Sequence, residues 1–282
     1  MALPNVRTLA GLLLDDPDNG LWVNRVTGWD DGPPITLDIP KKAQQDGGWD
    51  AVGTYGPRVI TIEGTAKCTT LAAAYAFANQ LRAITPRTLV TWQVASVDLG
   101  TLTAQVRVQA APVLTFSGTT FTYTMTVVAP DPLRYGAAHT PQTATLATTG
   151  AGIGRAYPLA YPLTYGVPAG VTPGSLSLPN AGTASYWPTL RVDGPVTNPQ
   201  ITCNDTGAWV RFNGIVASGT YLTIDGASRA VKLNGAVSVR NLVTSSGDWL
   251  AIPPGGASIS WTADTADPAA LLTANGYEGA WL

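Results

Sequence analysis

The chain runs to 282 residues, enough for one large domain or two ordinary ones, each able to bury its own core. Hydrophobic residues at 45% and charged residues at 12% exclude a disordered chain, and a net charge of −2 supplies no basic field for nucleic acid or an anionic membrane. No stretch approaches the roughly 18 apolar residues of a membrane span, and two cysteines, Cys68 and Cys203, make neither a disulfide framework nor a metal-ligand cluster, so both are expected to be free thiols.

The first apolar run, Leu9 to Leu14, is followed at once by Asp15 and Asp16, without the basic segment and small-residue cleavage site of a signal peptide. Segments 6–14 and 21–26 are expected to pair as a hairpin around Asp15-Asp16-Pro17-Asp18-Asn19-Gly20, because Asn and Gly both tolerate positive φ. The acidic run does not fit a calcium loop, since Pro17 occupies a ligand position and Val26 the place of the closing carboxylate. Residues 35–39 alternate as a strand, and 41–53 form a polar, glycine-bearing loop. A strand over 58–63 leads to one helix, 71–84, capped by Thr70, with Leu71, Ala74, Tyr75, Ala78 and Leu81 on a single stripe and Pro86 just beyond its end. Residues 90–94 add a strand with Val90, Trp92 and Val94 on one face, and the runs 102–110 and 121–127 alternate strictly, with Pro112 and Ser117-Gly118 interrupting the path between them. The sheet is expected to stop at Ala129-Pro130-Asp131-Pro132-Leu133-Arg134-Tyr135-Gly136, where proline withdraws a ladder donor.

A split barrel whose last strand runs into this DPLRYG-type segment resembles the distal tail proteins of long-tailed bacteriophages. So does the strand Tyr55-Gly56-Pro57-Arg58-Val59-Ile60-Thr61-Ile62-Glu63-Gly64 followed by a threonine-capped helix. The resemblance implies a structural virion protein of the tail tip, assembled in the host cytoplasm, whose copies close into a hexameric ring. It implies as partners the tail tube protein and the tail-tip and tape-measure proteins, with a host surface glycan as a further candidate, and it places residues 41–53 at the edge or interface of the ring.

Beyond Gly136 the chain turns rich in Thr, Ala, Gly and Pro, with the near-repeat Ala156-Tyr157-Pro158-Leu159-Ala160-Tyr161-Pro162-Leu163, and is expected to be an extended arm that lays its tyrosines and leucines on neighbouring surface. From Ser175 short strands return, punctuated by Asp193-Gly194, Asn213-Gly214, Asp225-Gly226 and Asn234-Gly235, and they argue a β-sandwich or jelly roll. This half resembles the galectin-like or carbohydrate-module-like domain of many distal tail proteins. The expected organisation is mainly β: an N-terminal α+β split barrel with one helix over 1–136, a linker over 137–174 and a C-terminal β-sandwich over 175–282.

Nothing in the sequence organises catalysis, a metal or a cofactor. The single histidine, His139, falls in the linker, and there is no Gly-x-Ser-x-Gly elbow, Walker loop, HExxH or CxxC. The acidic clusters Asp30-Asp31 and Asp264/Asp267 border turns and read as solvated loop acids rather than a glycosidase pair. The expected function is therefore structural and non-enzymatic, the alternative being a carbohydrate-binding adhesion module. For that alternative the candidate contact is Trp249, which follows Ser245-Ser246-Gly247-Asp248 at a loop edge, whereas Trp209 and Trp261 are expected in the core.

Overall fold

The computed structural model describes residues 6–84, 86–96, 100–149, 170–247 and 249–282. The chain divides into two compact units, Met1–Ala137 with Trp281–Leu282, and Ala138–Ala280.

In the first unit the elements are β1 (Val6–Leu9), β2 (Leu12–Leu13), β3 (Leu21–Thr27), β4 (Ile35–Thr36), β5 (Thr54–Tyr55), β6 (Arg58–Lys67), α1 (Leu71–Ala83), β7 (Val90–Ser96), β8 (Gly100–Ser117), β9 (Thr120–Ala129) and β10 (Arg134–Tyr135). The hydrogen-bonded order is β2-β1-β7-β8-β9-β6-β3, antiparallel throughout, with β2 and β3 as unjoined edges of the expected split barrel. The long strand β8 makes the split. Its first half, through Val106, pairs with β7, and from Arg107 onward it pairs with β9 across two register shifts between Val108 and Val113. Pro112 sits inside this irregularity, where the ladder asks no donor of it, so it does not end the strand as expected.

The alternation seen in sequence is the burial pattern. Leu102, Ala104, Val106 and Val108 of β8 and Phe121, Tyr123, Met125 and Val127 of β9 are buried with Ile60 and Ile62 of β6 in one core. Gly64 belongs to that inward row because a Cβ there would stand 2.2 Å from the Tyr123 ring. The helix begins where Thr70 accepts a hydrogen bond from the Ala73 amide, and of the expected stripe it seats Ala74, Ala78 and Leu81 against the same core while Leu71 and Tyr75 stay exposed.

Two expectations fail here. The Asp16–Gly20 turn forms, with Asp16 bridged to Leu21, but the strands flanking it part company. The chain reverses at Ala10-Gly11, β1 pairs with β7, and β3 pairs with β6. The expected strand over 35–39 shrinks to Ile35–Thr36, paired only with Thr54–Tyr55.

The second unit contains β11 (Gln142–Thr145), β12 (Ala147–Thr149), β13 (Gly170–Thr172), β14 (Gly174–Leu178), β15 (Thr189–Asp193), β16 (Val196–Thr197), β17 (Gln200–Cys203), β18 (Trp209–Phe212), β19 (Ile215–Val216), β20 (Tyr221–Asp225), β21 (Ala230–Leu233), β22 (Val237–Ser238), β23 (Val243–Ser245), β24 (Ala257–Thr262), β25 (Thr265–Ala266) and β26 (Leu271–Asn275). Two main antiparallel sheets run β11-β26-β15-β20-β21-β22 and β14-β24-β17-β18-β23. Both bury alternate side chains, among them Leu190, Leu222, Ile224 and Leu272 from the first and Leu176, Ile201, Val210, Ile259 and Trp261 from the second. Asn180, 2% exposed, ties the irregular segments together: its amide donates to the carbonyls of Ala184 and Ile252, and its oxygen accepts from the amides of Gly182 and Ala280.

Asp225-Gly226 and Asn234-Gly235 do join paired neighbours, β20 to β21 and β21 to β22, whereas Asp193-Gly194 and Asn213-Gly214 lead into strands that pair elsewhere. The linker boundaries also change, because Gln142–Thr145 inside the expected connector pairs along its whole length with Leu271–Ala274 and is an edge strand of this unit. The Tyr-Pro-Leu repeat lies outside the described residues.

Candidate functional site

The feature of the first unit that the core does not explain is the excursion between β3 and β6. From Pro34 to Pro57 no residue is buried, yet Ile35, Leu37, Ile39, Trp49, Val52 and Tyr55 are 50–94% exposed. The segment is nevertheless ordered by its own backbone. Ile35 and Thr36 pair with Tyr55 and Thr54, the Gly56 amide donates to Pro34 O at 2.7 Å, and the Trp49 amide donates to Pro40 O at 2.9 Å. The Lys42 ammonium lies 5.3 Å from the centre of the Trp49 ring. The result is an arm on which Ile35, Leu37, Ile39, Trp49, Val52 and Tyr55 are exposed together among the charges of Asp38, Lys41, Lys42, Asp46 and Asp50, more apolar surface than isolated exposed residues give.

The base of the arm is held rigidly. Gly28, at φ +81°, packs so closely on β6 that a Cβ would meet Val59 O, and the Trp29 ring is buried edge-to-face on Trp92 with centroids 6.2 Å apart. Arg58, 1% exposed at the start of β6, donates through Nη1 to the carbonyls of Gly28, Trp29 and Asp31 and through Nε to Pro132 O. Burial pulls its pKa below the usual arginine value, with the neighbouring Arg134 charge adding to the effect and Asp30 and Asp31 opposing it. One guanidinium thus clamps the outgoing end of the arm to the DPLRYG segment.

That segment is itself built for the role. Asp131 accepts from the Leu133 amide at 3.0 Å and from the Tyr135 hydroxyl at 2.6 Å, fixing the turn after β9. Arg134 stacks over Trp29 at 5.6 Å, donates to Trp29 O and to Leu282 O, and pairs with Asp30 at 3.5 Å.

The residues singled out from sequence fare differently. Trp249 is not an exposed ring: it is 2% exposed, enters the interior of the second unit from a residue at φ +29°, and carries the Arg240 guanidinium 4.8 Å from its ring centre. A large apolar ring filling the interior outweighs the polar loop that precedes it. Trp261 is buried as expected, Trp209 is only half-buried, and Trp187 is the more open ring at 37%. His139 donates its amide to Gly276 O, and its ring meets Thr140 O and stands 3.8 Å from Glu278, with no nucleophile among these contacts.

The acids are likewise engaged locally. Asp15 pairs with Arg7 at 2.7 Å, and Asp16 accepts from the Asn19 side chain at 2.7 Å. Asp264 is held below its usual pKa range, first by the Asn198 amide and then by Arg211. Among the described residues no three His, Cys, Asp or Glu side chains gather as a metal site, and no helix is long and apolar enough to cross a membrane. Cys68 and Cys203 are free thiols.

Residues 181–275 match the family described as siphovirus-type tail component, C-terminal domain. No curated protein sequence matches the chain. Among solved structures, the Dit (gp 19.1) protein of phage SPP1, described as a paradigm of the hub adsorption apparatus in phages infecting Gram-positive bacteria, aligns over 99% of this chain and 100% of its own, with a TM-score of 0.63 and 15% identity. A chain of the phage p2 baseplate in its activated conformation with Sr aligns over 98% and 100%, with a TM-score of 0.50 and 12% identity. The second unit thus carries the match to a siphovirus-type tail component, and the fold along the whole chain is similar to that of SPP1 Dit.

Proposed function

We propose that the chain is a structural subunit at the distal end of a siphovirus tail, where copies close into a ring that joins the tail tube to the tail tip or baseplate. The observation that carries this reading is the exposed apolar arm on a rigid base: a surface of this kind on a Dit-like fold calls for a partner, and ring contacts are heterologous, one patch meeting a different patch on the next copy. The ring is hexameric on the family resemblance. Its neighbours are the tail tube protein on one side and the tail-tip and tape-measure proteins on the other, and the subunit is assembled into the virion in the host cytoplasm. The glycan-adhesion alternative loses its named contact, because Trp249 is inside.

Multi-angle light scattering and negative-stain imaging of the purified chain at high micromolar concentration test the proposal. A closed ring is expected. A monodisperse monomer under these conditions overturns it.

A further inference from the structure

The first unit is not continuous in sequence. The chain leaves it after Ala137, builds the second unit, and re-enters it at Trp281–Leu282. The returning residues are engaged there. Trp281 is half-buried and packs against the core of the first unit. Leu282 O accepts from Arg134 Nη2 at 2.7 Å, shorter than the 3.2 Å between Arg134 Nη1 and Trp29 O. Arg134 also lies over the Trp29 ring and faces Asp30, so the returning segment grips the same base that Arg58 clamps through Trp29 O. Withdrawing Leu282 O would take the acceptor from a charged donor whose side chain is only 12% exposed, which is costly.

Seating Trp281–Leu282 beside Arg134 closes a long loop. Residues 136–280, 145 in number, lie between Tyr135 and Trp281. Folding of the second unit shortens that path. Gln142–Thr145 pairs with Leu271–Ala274, the His139 amide donates to Gly276 O at 3.0 Å, and Ala138 is bridged to Tyr277, so the two ends of the unit are zipped together. The path then runs through only seven residues, 136–138 and 277–280. Closure entropy grows with the logarithm of loop length, with a coefficient of about 1.5 RT, so this shortening favours closure roughly 100-fold.

We propose that residues 281–282 are a strap that couples the folding of the second unit to the order of the arm's base in the first. With the β11–β26 ladder formed, the strap stays on Arg134, and Arg134 holds Trp29 and Asp30. With the ladder open, the strap is released and the base loosens. The coupling is reciprocal, since a seated strap also keeps the two ends of the second unit together and so supports β11. It is a property of a single chain and stands or falls independently of the ring.

Hydrogen exchange of the full chain, followed by mass spectrometry, tests the strap with two substitutions and their combination. Trp281→Ala removes the packing of the strap on the core, and Ala144→Asp opens the ladder by placing a charge at a β11 position that is 8% exposed. Each is expected to speed exchange in peptides covering 28–36 at least tenfold, while peptides covering 102–108 and 121–127 keep their protection. Trp281→Phe is expected to leave 28–36 protected. The double variant is expected to exchange at 28–36 no faster than Trp281→Ala alone, because the ladder acts through the strap. By reciprocity, Trp281→Ala is expected to speed exchange at 142–145 and 271–274. Should Ala144→Asp unfold the second unit outright, the expectation for 28–36 is the same, since the two ends are then apart. Unchanged exchange at 28–36 in Trp281→Ala overturns the strap. A further rise on adding Ala144→Asp to Trp281→Ala overturns the coupling.

Discussion

Arg58 offers the sharpest test of how the arm is held. Replacing it with Met keeps much of the volume but removes the donor for four backbone carbonyls, those of Gly28, Trp29, Asp31 and Pro132. The four carbonyls share three N–H groups, one on Nε and two on Nη1, and hydrogen bonds to a charged donor contribute about 1.5–3 kcal/mol each, so three at the low end amount to roughly 4.5 kcal/mol. Taking the guanidinium out of water costs several kcal/mol, and relief of that penalty offsets about half of the loss. The expected net destabilisation of the first unit is therefore roughly 2 kcal/mol, or on the order of 7 °C in its melting temperature for a unit of this size. Hydrogen exchange followed by mass spectrometry isolates the effect, because peptides covering 28–36 and 54–67 should lose protection while peptides of the second unit keep theirs. Arg58→Lys should recover little, since one ammonium cannot reach carbonyls lying around a planar fork. A Met variant that melts within a degree of the parent, with unchanged exchange at 28–36, refutes the clamp.

Burial pushes the Tyr186 hydroxyl up to about 12, so the protonated form is favoured in the folded second unit; its stabilising contribution is complete below pH 10 and is lost as pH rises from 10 to 12, by roughly 2 kcal/mol. Urea unfolding of that unit across this range should show the slope, and Tyr186→Phe should flatten it. Trp249→Ala should cost the second unit about 3–5 kcal/mol through the cavity it leaves, and tryptophan-fluorescence titration with host wall polysaccharide should detect no binding that the substitution removes. A fragment spanning 138–280 should melt cooperatively, whereas one beginning at 175 should be less stable because it lacks the β11 edge strand paired with β26; equal melting curves would show that β11 is dispensable.

Much of the fold was legible because the signals were local. Thr70 marks the helix start, and the strict alternation of 102–110 and 121–127 marks two strands with one buried face, which holds in the first run through Val108 and stops at the register shift that leaves Ala110 exposed. What failed was pairing. Asn19-Gly20 identifies a turn but not which strands it joins, because β1 and β3 each find longer and better-buried partners in β7 and β6. Gln142–Thr145 is hidden by composition, since Gln, Thr, Ala and Thr, with Ala144 the sole buried apolar side chain, carry little strand signal until Leu271–Ala274 offers them a ladder. Trp249 was misplaced because the polar run before it says where the chain is wet, not where the next ring points. The clamp was out of reach for the same reason: Arg58 and Pro132 lie far apart in sequence, and nothing local to either announces the other.

The arm shows the limit most clearly. The spacing of Ile35, Leu37 and Ile39 is that of a half-buried strand, yet the structure buries none of the three. Alternation reports that side chains avoid water; it does not report what covers them. In β8 and β9 the cover is the same chain, and the pattern translates directly into burial. In the arm the pattern persists without cover inside the unit, and on α1 the same sign appears, a surface stripe with the charges left out. A sequence shaped only by folding as a monomer has no reason to keep either, because both lower solubility and neither stabilises the core. The same physical signal therefore divides in two once the fold is known. Where the apolar pattern is satisfied it describes the core, and where it is left over it describes the neighbour.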